Sequence, residues 1–147
     1  YGMERGIISI MQKEVVMEVL RILIKPTGSN QVNSGKGFFN MVLFDGECDC
    51  ENFKGKVLPG GVDTQHYYAE GMGRISARYM LEGVDKEGKP CKIFIQNDGE
   101  HDHGFLPTVP KVYTDSEALR WLEDADLVGH LIFEGDKLII SICTKDE

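Results

Sequence analysis

The sequence predicts a single, mainly β domain: an antiparallel barrel first and a sandwich second, with one short helix near Ser116–Asp124. Three observations carry this. Short runs rich in β-branched and aromatic residues succeed one another along the whole chain, several with period-two alternation. The 17 glycines sit at the ends of those runs, where tight reversals need them, and form no repeat. No strand–helix–strand rhythm appears, so parallel layered folds are disfavoured, and a sheet closed on itself removes the exposed edges that invite aggregation.

The first apolar run, Val15–Ile24, is apolar on both parities, broken only by Glu18 and Arg21. That pattern suits a strand covered on both faces, ended by Pro26-Thr27-Gly28, and it predicts a homodimer through the Val15–Ile24 strand. Thr27–Gly37 reads as a polar loop. In Phe38–Cys50, Phe38, Val42, Phe44, Cys48 and Cys50 share one parity. Asp45, Glu47, Asp49 and Glu51 share the other, so the thiols are expected inside and the acids in water.

The central unit spans Val57–Val84. Pro59-Gly60-Gly61 reverses the chain, Val62–Ala69 is the next strand, and Gly71 with Gly73 brackets a second reversal. From Arg74 onward, Ile75, Ala77, Tyr79 and Leu81 alternate with Arg74, Ser76, Arg78 and Glu82, the signature of a half-buried strand. After the Asp85–Gly88 turn come a strand at Pro90–Asn97, a polar loop at Asp98–Phe105 and an extended stretch at Leu106–Tyr113. In the helix, Thr114 and Glu117 stand like a capping box ahead of a stripe of Ala118, Trp121, Leu122 and Ala125, which is expected to close one end of the sheet. Leu127–Phe133 and Leu138–Cys143 form a terminal hairpin whose pairing with the N-terminal strand would complete the barrel.

A chain of 147 residues fits one domain, 1–147, burying about two-thirds of its unfolded surface. Tyr1 and Gly2, ahead of Met3, are expected to be additions to the natural chain. With 16 basic against 24 acidic residues, the formal charge of −8 argues against nucleic acid or anionic membrane as partner. Cys48, Cys50, Cys91 and Cys143 match neither a disulfide framework nor zinc-finger spacing, so reduced thiols and a cytoplasmic location are expected. No membrane-length apolar segment or signal-peptide pattern is seen. No cofactor is expected.

Several stretches together resemble a known family. FDGE at Phe44–Glu47, NFKGKVLPGGVDTQ at Asn52–Gln65, RISARYMLEGVDKEG at Arg74–Gly88, PKVYTD at Pro110–Asp115 and GHLIFEGDKLIISI at Gly129–Ile142 look like the domain of unknown function 3237, also catalogued as uncharacterised protein family 0311. The resemblance implies an antiparallel β-barrel in small bacterial proteins and no established reaction. Where many of those proteins look to have Asp-Trp, this chain has Asp63-Thr64.

The candidate ligand-binding residues are Asp63, Arg74, Arg78 and Tyr79, with Asp63 and Tyr79 also the candidate catalytic pair. Asp63 can tie down its own turn, pair with Arg78, or act as a general base if apolar walls raise its pKa. Arg74 and Arg78 share a strand face about 13 Å apart, a spacing for the two ends of a longer anion or for an exterior salt-bridged surface. Tyr67 and Tyr79 read as core aromatics with a hydroxyl that can reach a ligand. His66 has the opposite parity from Asp63, which argues against an Asp-His dyad. Asp98, Glu100, His101, Asp102 and His103 are metal-ligand types, but alternate residues of a short loop seldom converge, and a third ligand such as His66 or His130 is needed. No metal is expected.

Three functions fit these residues. One is a module binding a small anionic or aromatic metabolite inside the barrel. Another is an acid-base enzyme of isomerase, cyclase or lyase type using Asp63 with Tyr79 or an arginine. The third is an oligomeric scaffold without catalysis.

Overall fold

A computed structural model describes residues 16–145; Tyr1, Gly2 and Val15, about which the sequence raised expectations, lie outside that range. Nine strands form one antiparallel sheet: β1 (Val16–Ser34), β2 (Gly37–Asp49), β3 (Phe53–Val57), β4 (Val62–Ala69), β5 (Met72–Asp85), β6 (Pro90–Asp102), β7 (Val109–Thr114), β8 (Leu127–Glu134) and β9 (Lys137–Lys145). The path runs β7-β6-β5-β3-β2-β1-β9-β8, and β4 pairs with both β2 and β5 beyond the end of β3. β3 and β4 are thus two pieces of one row between β2 and β5, separated by the Pro-Gly-Gly reversal, where Gly60 takes φ +110°.

The sheet rolls into a barrel, as expected. The terminal hairpin β8–β9 pairs with β1, and the two ends of the path meet at a short antiparallel bridge. There the Thr108 amide donates to the Gly129 carbonyl at 2.8 Å, and the Gly129 amide donates back at 3.0 Å. The crossing needs a glycine: a β-carbon on residue 129 would collide with the Thr108 hydroxyl.

Inward-facing side chains fill most of the interior. Leu20, Ile22, Phe53, Leu81, Ile93, Ile95 and Ile142 are among the most buried, and the alternation read from β5 and β6 is the alternation that packs here. β1 differs. Its register slips between Glu18 and Leu20, so Val19 and Leu20 both enter the core before Ile22 and Ile24 follow in step. This bulge accounts for the adjacent inward positions of Val19 and Leu20. On the outer face Arg21 pairs with Glu18 and Glu134.

Two stretches expected to be loops are strand. Thr27–Ser34 continues β1 past a second register shift at Pro26/Gly28 and pairs with Gly37–Leu43. Asp98–Asp102 continues β6 against Met72–Ser76. Both are polar because these parts of their hairpins run beyond the main core, where backbone pairing persists without burial.

The expected helix is a single 3-10 turn, Arg120–Glu123. Leu122 within it and Leu119 just before it are buried, three apart as a three-residue turn requires, while Trp121 is 43% exposed. The capping box is replaced by other bonds. Thr114 Oγ1 accepts from the Ser116 amide, Ser116 Oγ accepts from the Leu119 amide, and the Glu123 carboxylate accepts from the Thr114 amide. The segment still plugs one end of the barrel, as foreseen. Among the described residues no helix is long and apolar enough to cross a membrane.

Candidate functional site

At the opposite end the packing stops short. Phe44 and Tyr79 meet edge to face, with ring centroids 5.2 Å apart, and with Ile24 and Ile140 they belong both to the core and to the floor of a cavity of about 280 Å³. Val42, Ile75, Ala77, Leu131 and Leu138 line its sides, and Phe105 and Phe133, centroids 6.5 Å apart, stand at its exposed rim.

Besides Gln65, four polar side chains enter this apolar space: Asp63 from β4, Tyr79 from β5, Asn97 from β6, and Thr108 from the segment that makes the closing bridge. Each of the four carries a buried atom with no hydrogen-bond partner among the described residues: Asp63 Oδ1, Tyr79 Oη, Asn97 Oδ1 and Thr108 Oγ1. A buried polar atom left unpaired costs about 1–3 kcal/mol, so four around one hollow are an arrangement that packing alone does not favour.

Asp63 receives one bond, from Gln65 Nε2 to Oδ2 at 2.8 Å. Burial pushes its carboxyl above the ordinary aspartate range, and the Gln65 bond only partly offsets this. Burial likewise raises the Tyr79 hydroxyl, with the nearby acidic groups of Cys48 and Asp63 adding to the effect, so the phenol stays protonated and can donate. Tyr67, past Gln65 on the same face of β4, is raised as well, by burial first and Asp63 second.

The structure therefore brings Asp63 and Tyr79 together and leaves Arg74 and Arg78 elsewhere. Both arginines project from the outer face of β5, as their parity with Ser76 dictates. Arg74 lies over the Tyr68 ring at 5.3 Å and borders a shallow outer groove with Thr64, His66, Asp98 and Glu100. Arg78 lies near Asp98: burial alone would raise that carboxyl, but bonds from Ser76 and Gln96, then the charges of Lys111 and Arg78, hold it below its usual range.

His66 sits outside as its parity required, stacked on Phe39 with its Nε2 2.9 Å from the Lys36 carbonyl oxygen. The acidic and histidine side chains of the β6 extension disperse. His101 Nδ1 lies 3.1 Å from the Gly71 carbonyl oxygen, and its ring meets Tyr67 and Phe105; His103, at φ 56°, contacts Asp102 on the surface. Among the described residues no three His, Cys, Asp or Glu side chains converge as metal ligands.

Asn97, Thr108 and Gln65 escaped the sequence reading. Asn97 could have been found, because it continues the inward parity of Cys91, Ile93 and Ile95 with a polar residue.

A mainly β, barrel-like protein with a polar-studded apolar interior is the class that fold and site define. The chain belongs to the family described as Protein of unknown function (DUF3237), whose profile matches residues 14–104. It is similar to a UPF0311 protein of Clostridium acetobutylicum, at 35% identity over 74 residues that make up 50% of this chain and 40% of that protein. The chain thus matches less than half the length of this curated relative.

Among solved structures it is similar to a Clostridium acetobutylicum ATCC 824 protein of unknown function (TM-score 0.76, 22% identity, 90% of this chain and 99% of the other). It is also similar to a beta-barrel like protein of Acinetobacter baumannii AYE (TM-score 0.72, 17% identity, 90% and 96%). A third similar structure is an enzyme of Penicillium herquei (TM-score 0.72, 14% identity, 94% and 98%). These TM-scores establish a shared fold.

Proposed function

We propose that the interior cavity binds a small, neutral, largely apolar molecule bearing hydroxyl or carbonyl oxygens, and that Asp63 moves a proton on it. The observation that carries this reading is the convergence of four unpartnered buried polar atoms on one apolar cavity, one of them on a carboxyl desolvated by its surroundings. A carboxylate shielded from water is a stronger base than one in solvent. Tyr79 and Thr108 hydroxyls can donate to an oxygen on which charge develops, and Asn97 Oδ1 can accept from a ligand hydroxyl. The reaction class is proton transfer without an external co-reactant: isomerisation, cyclisation or elimination.

An anionic ligand fits this cavity poorly. Among the described residues no cation lines it, and a second negative charge beside Asp63 in an apolar space would be costly. The aromatic rim at Phe105 and Phe133 favours a ring-bearing ligand. That a protein of this fold is described as an enzyme supports placing chemistry here.

The test is a panel of small phenols, cyclic ketones and hydroxy-ketones, screened by thermal shift and then followed in D2O by NMR for exchange of a carbon-bound proton. Wild type is expected to be stabilised by a member of the panel and to exchange its proton, while Asp63→Asn binds without exchange. Failure of the whole panel to raise Tm, or equal exchange by the variant, overturns the reading. The mostly aliphatic walls favour a second reading, a binding module without catalysis; binding with no exchange in wild type would select it.

A further inference from the structure

On β2, the strand that gives Val42 and Phe44 to the cavity wall, a second chemical group is set at the other end. Cys48 and Cys50 are two residues apart where the strand gives way to a bend, and their sulfurs lie 3.6 Å apart. Both thiols also approach one acceptor, the Phe53 carbonyl oxygen, at 3.6 Å from Cys48 and 3.5 Å from Cys50; Cys50 further approaches the Val19 carbonyl at 3.8 Å. Cys48 is sealed in the core at 2% exposure, whereas Cys50 is half-buried and reachable. Cys91 and Cys143 are buried too, and neither has a second cysteine sulfur within hydrogen-bonding reach.

We infer that Cys48 and Cys50 form a two-thiol site that is reversibly oxidised by low-molecular-weight disulfides, with Cys50 as the attacking sulfur and Cys48 as the resolving one. A disulfide bond is about 2.05 Å long, so the sulfurs must close by roughly 1.5 Å, a movement the bend at Cys50–Asn52 can supply more readily than paired strand. The electronic setting agrees. The hydrogen bond from Cys48 is the largest influence on Cys50, whose pKa is lowered to about 6; the same bond, with burial, pushes Cys48 the other way.

The chemistry balances in two steps. Cys50 thiolate attacks one sulfur of a disulfide RSSR, forming a mixed disulfide and expelling RS⁻. The Cys48 sulfur then attacks Cys50 Sγ, and its proton passes to the second departing RS⁻. Two electrons leave the protein thiols; the first RS⁻ takes up through solvent the proton that Cys50 released on ionising, so RSSR departs as two RSH.

The test uses the full chain with oxidised glutathione, read by intact mass and by peptide mapping after alkylation. Wild type is expected to pass through a single glutathione adduct at Cys50 to a form lighter by two hydrogens, with Cys48 and Cys50 protected from alkylation and dithiothreitol restoring both. Cys48→Ser is expected to stop at the adduct, and Cys50→Ser to resist modification. If Cys48→Ser does not fold, the wild-type time course shows the same intermediate. An adduct that never closes in wild type, a link to Cys91 or Cys143, or folded protein left unmodified under conditions that oxidise its denatured form overturns the assignment. This outcome is independent of the cavity reading.

Discussion

Two aspartates show how differently the ends of this barrel are built. Asp85, 5% exposed at the plugged end, accepts from the Glu87 and Lys89 amides at 2.9 and 3.1 Å through one oxygen and from Ser116 Oγ at 2.7 Å through the other. The Ser116 bond is the main reason its carboxyl sits below the usual range. Asp63, at the hollow end, has one donor, an idle oxygen and a carboxyl pushed up by burial. The same residue type serves a joint in one place and a reactive surface in the other. What separates them is how many donors the backbone delivers, and a turn delivers more than a strand paired on both sides.

The largest effect that tests the contrast is on turnover. If Asp63 is the proton carrier, Asp63→Asn should slow exchange of a panel substrate by about 10²–10⁴-fold, the usual worth of a general acid or base, with the ligand-induced rise in Tm largely kept. An unchanged rate would reduce Asp63 to a wall residue like its neighbours.

Next comes the packing difference. Phe53→Ala at the plugged end removes a ring that is 1% exposed and should cost about 3–5 kcal/mol in urea unfolding. Phe133→Ala at the rim, where the ring is 64% exposed, should cost no more than about 0.5 kcal/mol while weakening ligand binding. Similar losses at both positions would mean that the rim is part of the core.

These two ends were unequally legible in the sequence. The inward parity of Ile75, Ala77, Tyr79 and Leu81 was plain because every second residue is packed, and it put Tyr79 inside. Arg74 and Arg78 were read as candidate ligand-binding residues or as an exterior surface, and the same alternation sends them outward. Thr108 could not be foreseen, because it depends on a bridge to Gly129 between segments that are distant in sequence. The bulge at Val19 and Leu20 hid one regular strand behind a two-faced pattern. The polar halves of β1 and β6 looked like loops because strand pairing outside a core leaves no hydrophobic trace.

A smaller effect is expected from Asp85→Asn, which removes the charge from a fully bonded carboxyl. A carboxyl whose folded pKa is depressed adds stability that is present above its unfolded value and lost as pH falls through the folded one. The variant should therefore melt below wild type at neutral pH and converge with it in acid. A constant offset across pH would locate the loss in shape rather than charge.

The smallest effect has the opposite sign. Asp63 has a raised folded pKa, so its contribution is favourable below the unfolded value, about 3.9, and is lost as pH rises through the folded one. Asp63→Asn keeps the shape and removes the charge that the cavity disfavours, so it should melt above wild type at neutral pH, by on the order of 1 kcal/mol, the scale of single-site gains at strained functional positions. The two curves should merge in acid, where wild type is protonated as well. Melting curves of both variants from acid to neutral pH, overlaid on wild type, should thus fan out on opposite sides of it. If Asp63→Asn instead falls below wild type at neutral pH, the carboxylate is bonded in the folded chain as Asp85 is, and the hollow end is a second joint rather than a site.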